Sequence, residues 1–420
     1  MKKLLLLFAL LSIHLSATAA SANVAANAIN SLGIDLLRQT KPAENTVLSP
    51  YSIQSAMAMA YEGADGTTRA EMGKVLHYPD NDQIRDSLNN LREYLDRIAS
   101  NSQARVQRQE TQSHIKSVPI VIDTANRLFG QNGNDFRPTF LSLLKNSYNS
   151  PFEALDFKSQ PVTAAQYINR WVAKQTLDRI RDLVPPSSLT TNTRLVLVNA
   201  IYLKAPWMNP FKQSATKSKP FHLINGKSTD VPTMNEQKHF GYDEFDDHIA
   251  VILPFQRREL QMLILLPKKS DGLPALEQKL TSDLLAGCAT LPSHDVILYL
   301  PKFKLEPPLF HLKDQFDKLG MKEAFDIPTG IANFDRIAPR RANDYLYISD
   351  IFHKTFVDVD EKGTEAAAAT AVVMMRHSLA KMEPAGPIEV RIDHPFLFAI
   401  QHRETGACLF LGRVTDPSAN

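Results

Sequence analysis

The chain has 420 residues, of which 44% are hydrophobic and 22% are charged, the balance of an ordinary globular protein rather than a disordered or fibrous one. Its formal net charge is +2, and removal of Lys2 and Lys3 takes it to 0, so global electrostatics favours neither nucleic acid nor a membrane surface as a partner. A chain of this length can bury a large core without disulfide or metal support.

The first residues have the pattern of a secretory signal peptide. Two lysines precede an apolar run over residues 4–15, and small residues follow at 17–22. The run is shorter than the roughly 20 residues of a membrane-spanning helix. We therefore expect residues 1–22 to be a cleaved leader, residues 23–420 to form a single domain, and the mature protein to be secreted or extracellular. A leader that stays in the membrane as an uncleaved anchor is the alternative.

Helical patterns dominate the first half of the chain. Apolar periodicity, with Ser49 and Pro50 as a start signal and Pro185-Pro186 as a stop signal, predicts helices over Ala25–Leu37, Ser49–Tyr61, Thr67–Leu76, Gln83–Ala99 and Ile168–Leu183. A polar stretch from Asn101 to Ser117 is expected to follow the fourth of these, before a strand over Val118–Phe129.

Strand patterns dominate the second half. The β-rich runs, bounded by Pro and Gly, are Arg194–Leu203, Ala250–Leu253, Leu260–Pro267, Val296–Leu305, Phe396–Gln401 and Cys408–Val414. This segregation of helices and strands predicts an α+β fold rather than a doubly wound sheet.

Catalytic signatures are missing from the sequence. It has no Gly-x-Ser-x-Gly, phosphate-loop, His-Glu-x-x-His or Gly-x-Gly-x-x-Gly motif, and its three Ser-x-x-Lys matches lack the companion boxes of penicillin-recognising enzymes. We expect no enzyme activity, no cofactor and no metal site. Cys288 and Cys408 fit no metal or redox spacing, and the sequence leaves open whether they pair or are both buried thiols.

The segment HKTFVDVDEKGTEAAAATAVVMMRHS, residues 353–378, is the most informative. Propensity alone predicts a helix over Glu365–Met375, because Ala and Met favour helices. His353–Val359 alternates as a strand does, Gly363 supplies a flexible joint, and a run of very small residues leads to Arg376-His377-Ser378, a triplet suited to proteases.

This segment resembles the hinge of the inhibitory serpins almost residue for residue. Four further matches occur in the family's order: Asn45-Thr-Val-Leu-Ser-Pro-Tyr-Ser52, Thr124-Ala-Asn-Arg-Leu-Phe129, Leu197-Val-Asn-Ala-Ile-Tyr-Leu-Lys-Ala-Pro-Trp207, and His394-Pro-Phe-Leu-Phe398 with Phe410-Leu-Gly-Arg-Val414. The resemblance implies one domain with a large five-stranded sheet A, two smaller sheets, about nine helices and an exposed reactive-centre loop over about 361–388.

The resemblance also implies a function. Inhibitory serpins offer the loop to a serine protease, which forms an acyl-enzyme; the cleaved loop then inserts into sheet A as an added strand and distorts the protease. In such a strand Thr364, Ala366, Ala368, Thr370 and Val372 share one face, and all five are small or modestly apolar. Glu365 falls on the opposite face, so this composition suits insertion into a close-packed sheet.

The position of the cleaved bond is left open. Family spacing, counted from Glu361, places it at His377-Ser378, whereas Arg376-His377 suits a trypsin-like protease with an acidic specificity pocket. We favour Arg376; Met374 or Met375 would suit elastase- or chymotrypsin-like targets.

Further site residues follow from the resemblance by position. The hinge comprises Glu361, Gly363, Thr364, Glu365, Ala366, Ala367, Ala368 and Ala369. The shutter, a polar cluster beneath the point where sheet A opens, comprises Ser49, Ser52, Asn199 and His353. The breach, near the top of sheet A where insertion starts, contains Trp207. A sulfated polysaccharide is a further possible partner, on Arg85, Arg92, Arg97, Arg105, Arg108 and Lys116; the alternative is an ordinary solvated face, which the interleaved acidic residues favour. We expect a monomer that binds neither nucleic acid nor membrane. A non-inhibitory carrier or chaperone, or an inhibitor of a cysteine protease, is the alternative.

Overall fold

A computed structural model of the protein describes residues 24–79, 83–113, 117–341, 344–364 and 386–419. The helices within these ranges are α1 (24–38), α2 (Pro50–Gly63), α3 (Gly66–Val75), α4 (Gln83–Ser113), α5 (Pro138–Tyr148), α6 (Pro161–Gln175), α7 (Leu273–Lys279), α8 (Ser282–Gly287) and α9 (Leu312–Lys318). The strands are β1 (Thr46–Leu48), β2 (Val121–Gln131), β3 (Glu153–Leu155), β4 (Leu195–Pro206), β5 (Lys217–His222), β6 (Ser228–Glu244), β7 (His248–Pro254), β8 (Leu260–Pro267), β9 (Ser293–Pro301), β10 (Phe303–Leu305), β11 (Phe310–His311), β12 (Ile348–Thr355), β13 (Val357–Asp360), β14 (Gly363–Thr364), β15 (Ile388–Arg391), β16 (Phe396–His402) and β17 (Cys408–Val414).

The predicted sheet A is present as five strands in the order β3-β2-β4-β12-β11. Its central strand, β4, is antiparallel to β2 and parallel to β12. At the upper end of the sheet β10, β13 and β14 extend the pairing. The α+β fold predicted from the sequence is confirmed.

Sheet A is covered on both faces, which explains the apolar run that forms β4. Leu197 and Ile201 point into the main core with α2, whereas Val196 and Val198 point into a second core with α6. Successive side chains of a strand alternate between faces, so a strand buried on both sides reads as a continuous apolar run.

The two smaller sheets are joined through the 17-residue strand β6. Its first part pairs with β5 and β9, and its last residues pair with β7, so Gly241 faces both Ser293 and Ile252. The order of the combined sheet is β1-β17-β16-β8-β7-β6-β9-β15.

Two helix predictions were wrong at their C-terminal ends. α4 does not stop near Ala99 but continues to Ser113, because the polar stretch contains no Pro or Gly and Ser102 is buried, accepting a hydrogen bond from the Ile120 amide at 2.8 Å. α6 runs from Pro161 to Gln175, so it begins seven residues before the predicted start at Ile168 and ends well before Pro185. Leu177 and Asp178 take left-handed φ angles of +49° and +62°, which helical residues do not adopt.

No helix of the described ranges is long and apolar enough to cross a membrane.

Candidate functional site

A buried polar cluster lies at the centre of sheet A, where α2 begins beneath β4 and β12. It contains all four predicted shutter residues, Ser49, Ser52, Asn199 and His353, each 0% exposed. Ser49 caps α2, since its Oγ accepts a hydrogen bond from the Ser52 amide at 3.2 Å. The N-cap residue of α2 is therefore also a member of the polar cluster.

A fifth member, Asn126 of β2, was missed by the sequence analysis. Its Oδ1 accepts hydrogen bonds from Ser52 Oγ and Asn199 Nδ2, both at 2.9 Å, and Asn199 Nδ2 also donates to Ser52 Oγ at 2.7 Å. Its position opposite Asn199 depends on the register of β2 and β4, which the sequence does not reveal.

His353 is held neutral in this cluster. Burial lowers the pKa of its imidazole to about 3, because the charged form would lose its hydration. Nε2 accepts the Ser49 amide hydrogen at 3.2 Å. Nδ1 must then carry the proton, which it donates to Asn199 Oδ1. The His353–Asn199 bond joins β12 to β4 at the level where these strands are direct neighbours.

The breach lies at the upper end of sheet A, around Trp207. Its indole Nε1 donates to the Asp360 carbonyl at 2.9 Å and its amide donates to the Lys362 carbonyl at 2.8 Å. The ring stacks on Phe255 with centroids 4.6 Å apart. Trp207 thus fixes the turn that leads from β13 into the hinge, and no catalytic role is implied.

Glu361 fastens the same turn to its surroundings. Its carboxylate accepts hydrogen bonds from Thr216 Oγ1 at 2.8 Å and Lys302 Nζ at 3.0 Å. Burial alone would raise the pKa of Glu361, but these two donors and its own backbone amide together outweigh burial and hold the pKa below its ordinary value.

The first hinge residues already lie inside the sheet. Gly363 and Thr364 form β14, which is antiparallel to both β13 and β4 and lies between them. Gly363 has φ +145°, and a Cβ there would lie 2.2 Å from the Ala205 carbonyl oxygen, so only glycine fits. Thr364 is 1% exposed, and its Oγ1 accepts the Ala205 amide hydrogen at 3.0 Å.

Several predicted residues lie outside the described ranges. These are the leader 1–22, Lys116, the remaining hinge residues Glu365, Ala366, Ala367, Ala368 and Ala369, and the bait residues Arg376, His377 and Ser378. The alternative helix over Glu365–Met375 lies outside them too.

Three of the predicted polyanion residues on α4 already have partners within the chain. Arg85 binds Glu62 through two hydrogen bonds of 2.7 Å, and Arg92 pairs with Asp96 at 2.8 Å. Arg97 lies over the ring of Tyr94.

Arg105 instead belongs to a different cluster. Partial burial and the nearby charges of Arg257 and Arg108 lower the pKa of Arg105. Arg257 and Arg258 are exposed in the turn between β7 and β8. Arg257 also pairs with Glu259 of the same turn at 3.4 Å. We call Arg105, Arg108, Arg257 and Arg258 the arginine cluster; its two turn residues were not found from the sequence.

The remaining candidate groups are the two cysteines and any cluster of metal-ligating side chains. Cys288 and Cys408 are both buried and unpaired, and burial raises the pKa of their thiols to about 11 and about 12. Within the described ranges no group of three or more His, Cys, Asp and Glu side chains could hold a metal ion.

Sheet A thus has five strands, a buried polar cluster at its centre, and the hinge residues Gly363 and Thr364 paired at its upper end. The chain belongs to the serpin family: residues 27–417 match the family described as Serpin (serine protease inhibitor). As a family, serpins are protease inhibitors rather than enzymes.

Named relatives agree with this assignment. An uncharacterised serpin-like protein of Thermococcus kodakarensis is 38% identical over 93% of this chain and 85% of its own length. The human leukocyte elastase inhibitor is 34% identical over 91% of this chain and 95% of its own length. Among solved structures, native protease nexin-1 with heparin superimposes with a TM-score of 0.75 at 27% identity, covering 95% of this chain and 100% of that one.

Proposed function

We propose that the protein is an irreversible, suicide-type inhibitor of serine proteases that acts by inserting its cleaved reactive-centre loop into sheet A. The observation that carries this proposal is the position of Gly363 and Thr364, which are paired between β4 and β13 as the first residues of an added strand. A carrier or chaperone would have no need for a hinge that begins this insertion.

The register of β14 supports the same proposal for the residues that follow. Thr364 pairs with Ala205 on one side and Val359 on the other. If the cleaved loop continues this antiparallel pairing, Thr370 lies opposite Asn199 of β4 on one side. On the other side it lies opposite His353 of β12, the strand that directly precedes β13 in the chain. In the intact protein Asn199 and His353 are paired with each other, so Thr370 of the inserted strand would lie between these two shutter residues.

This register gives the shutter a function. An inserted strand must separate Asn199 from His353. Each of these residues would then have a buried polar atom without a hydrogen-bond partner. The Thr370 hydroxyl can both donate and accept a hydrogen bond, so it can replace the bond that is broken. The other inward residues, Ala366, Ala368 and Val372, would meet apolar neighbours at Leu203, Ile201 and Leu197.

The cleaved bond that we propose is Arg376-His377, for a trypsin-like protease. A basic residue before the bond suits the acidic specificity pocket of such enzymes. His377-Ser378 is the second choice. A relative named for leukocyte elastase supports keeping Met374 and Met375, with an elastase- or chymotrypsin-like target, as the third, and a cysteine protease as a further alternative.

The experiment is incubation of the mature protein with trypsin, chymotrypsin and elastase in turn, followed by denaturing gel electrophoresis and mass spectrometry. We expect a complex that survives boiling and a released C-terminal peptide that begins at His377. A peptide that begins elsewhere would move the bond. Cleavage by every protease without any complex would contradict the inhibitor and favour a carrier or chaperone.

A sulfated polysaccharide is proposed as a second partner, now on the arginine cluster. A solved serpin similar to this chain contains heparin. The four arginines of this cluster outnumber the Glu259 carboxylate that pairs with Arg257, so they offer net positive charge that polyanions bind. We propose further that the mature protein is a secreted monomer of residues 23–420; N-terminal sequencing of exported protein and light scattering test these points.

A further inference from the structure

A cavity of about 580 Å³ lies where the turn between β6 and β7 meets α7 and α8. Its volume falls within the roughly 300–1,000 Å³ of sites for small molecules. The turn is fixed by backbone hydrogen bonds: the Phe245 amide donates to the His248 carbonyl at 2.9 Å, and the Lys268 amide donates to the Asp247 carbonyl at 2.8 Å. This wall of the cavity is therefore formed before any ligand arrives, which lowers the cost of binding.

His248 brings an unsatisfied polar atom to this wall. The residue lines the cavity and is 4% exposed, and its Nδ1 lies 2.7 Å from Asp247 Oδ1. Hydrogen bonds from Lys279 and His248 lower the pKa of Asp247 to about 2, so its carboxylate can only accept. Nδ1 then carries the imidazole proton, and Nε2 is left as an acceptor. Nε2 is buried and has no hydrogen-bond partner within the described ranges, so it calls for a donor from a ligand.

The charges on the same wall favour a cationic donor. Three carboxylates line the cavity, those of Glu244, Asp246 and Asp247. Glu244 is neutralised by Lys268 at 2.7 Å. Asp247 is neutralised by Lys279. Asp246 is exposed and has no ion pair in the part of the chain that the structure describes, so one carboxylate is left over. Within those ranges no group of side chains could hold a metal ion, which points to an organic cation.

Apolar side chains line the rest of the cavity. Phe245 stacks on the His248 ring, with centroids 4.5 Å apart and planes 7° from parallel. Leu276 of α7 and Leu284 of α8 also line the cavity. A ligand with an apolar body would remove that body from water against these side chains.

We propose that this cavity binds a small aromatic amine. Its ammonium group donates a hydrogen bond to His248 Nε2 and lies near the Asp246 carboxylate, while its ring packs against Leu276 and Leu284. None of these residues belongs to the shutter, the breach, the hinge or the arginine cluster, so the proposal does not rest on the proposed function.

Binding is tested by isothermal titration calorimetry with 2-phenylethylamine. Two matched compounds keep the ring and the chain: 2-phenylethanol replaces the ammonium with a neutral hydroxyl, and 3-phenylpropanoate replaces it with an anion. We expect saturable binding of the amine and at least about tenfold weaker binding of both other compounds, because a hydrogen bond from a charged donor is lost.

Two variants locate the amine in the cavity. His248→Phe keeps a ring that can stack on Phe245 but removes the acceptor, and it should raise the Kd about tenfold or more. Asp246→Asn removes the unpaired charge from an exposed residue and should raise the Kd about threefold. Asp230→Asn, which makes the same change at an exposed position of β6 outside the cavity, is the control and should bind as the unaltered protein does.

Four results would overturn the proposal. They are no saturable heat with the amine, equal affinity for 2-phenylethanol, tighter binding of 3-phenylpropanoate than of the amine, and unchanged amine affinity in either variant when its unfolding curve matches that of the unaltered protein. The third would mean that His248 acts as a donor to anions. None of these measurements uses a protease, so the cavity is judged separately from the proposed function.

Discussion

At the scale of single residues, the side chain of Thr364 occupies a slot between β4 and β13 that leaves it 1% exposed. An arginine there would have to bury its charge, at a cost of several kcal/mol. We predict that Thr364→Arg protein folds, because the hinge can leave the slot, but is cleaved as a substrate and forms little covalent complex. The fraction of complexed protease on a denaturing gel measures this.

Thr364→Ser is the matched control, since it keeps the hydroxyl that accepts the Ala205 amide hydrogen. It should inhibit as the unaltered protein does. Inhibition by Thr364→Arg at the level of this control would refute insertion as the mechanism.

His353 makes stability depend on pH. Its pKa is about 3 in the folded protein and about 6.5 when unfolded, so below pH 6.5 the unfolded state binds the proton more readily. Its contribution is complete above pH 6.5 and is lost as the pH falls towards 3. At pH 5 the loss is about 2 kcal/mol at 1.36 kcal/mol per pH unit. Urea unfolding at pH 7.5, 6 and 5 measures it.

The variant His353→Asn should show a weaker dependence on pH across this range, whatever its absolute stability. The exposed His239→Gln is the control and should keep the original dependence. His402, whose pKa burial lowers to about 4, acts in the same direction and accounts for a residual slope. An unchanged slope in His353→Asn would contradict the assignment.

Residues of the site differ in how far the sequence predicts them. Ser49, Ser52, Asn199 and His353 could be placed because they lie within motifs that resemble the family. Asn126 lies in such a motif as well, but its role depends on facing Asn199 across two strands that are far apart in sequence. Pairing of this kind is decided by the tertiary fold and leaves no local signal.

At the scale of elements, α4 and the β7–β8 turn bring Arg105 and Arg257 close enough for the charge of one to act on the other. We predict that Arg105→Gln with Arg108→Gln, and separately Arg257→Gln with Arg258→Gln, each weaken heparin binding about tenfold and reduce its dependence on salt. Elution from immobilised heparin over a salt gradient measures both pairs.

Arg391→Gln, on β15, is the control and should elute with the unaltered protein. If the α4 pair weakens binding and the turn pair does not, the polyanion site lies on the helix alone and the arginine cluster is wrong.

The start of α2 was predicted correctly, whereas both ends of α6 and the C-terminal end of α4 were not. Ser49 and Pro50 fix the start of α2 by capping and by geometry. The end of α6 has no such signal, because Leu177 takes its left-handed φ within the turn that Thr176 closes by accepting the Ile180 amide hydrogen. The extension of α4 was missed because polarity was interpreted as an ending, although Gln, Arg and Glu favour helices.

At the scale of the whole molecule, the sequence predicted sheet A and its composition because the resemblance carries an order of strands. It did not predict that the smaller sheets join, since a strand of 17 residues that changes partners along its length looks like any long polar strand. It also did not predict that the hinge begins within the sheet. This depends on a balance between the pairing gained at Thr364 and the conformational entropy lost by the loop, which composition does not reveal.

That balance leads to a test of the whole fold. If the intact protein stores the free energy of an uninserted strand, cleavage of its loop by a protease that it does not trap should stabilise it. An inserted strand of roughly ten residues adds on the order of one hydrogen bond per residue, each worth about 1 kcal/mol. The entropy of unfolding is about 2.1 cal/mol/K per residue, so each kcal/mol is worth roughly 1 °C in a chain of 420 residues, and the midpoint of thermal unfolding should rise by roughly 10 °C. Thr364→Arg protein, nicked in the same way, should gain much less, because its charge stops the strand at the first slot. Equal gains in both would show that stabilisation does not come from insertion, and no gain in the unaltered protein would favour a carrier over an inhibitor.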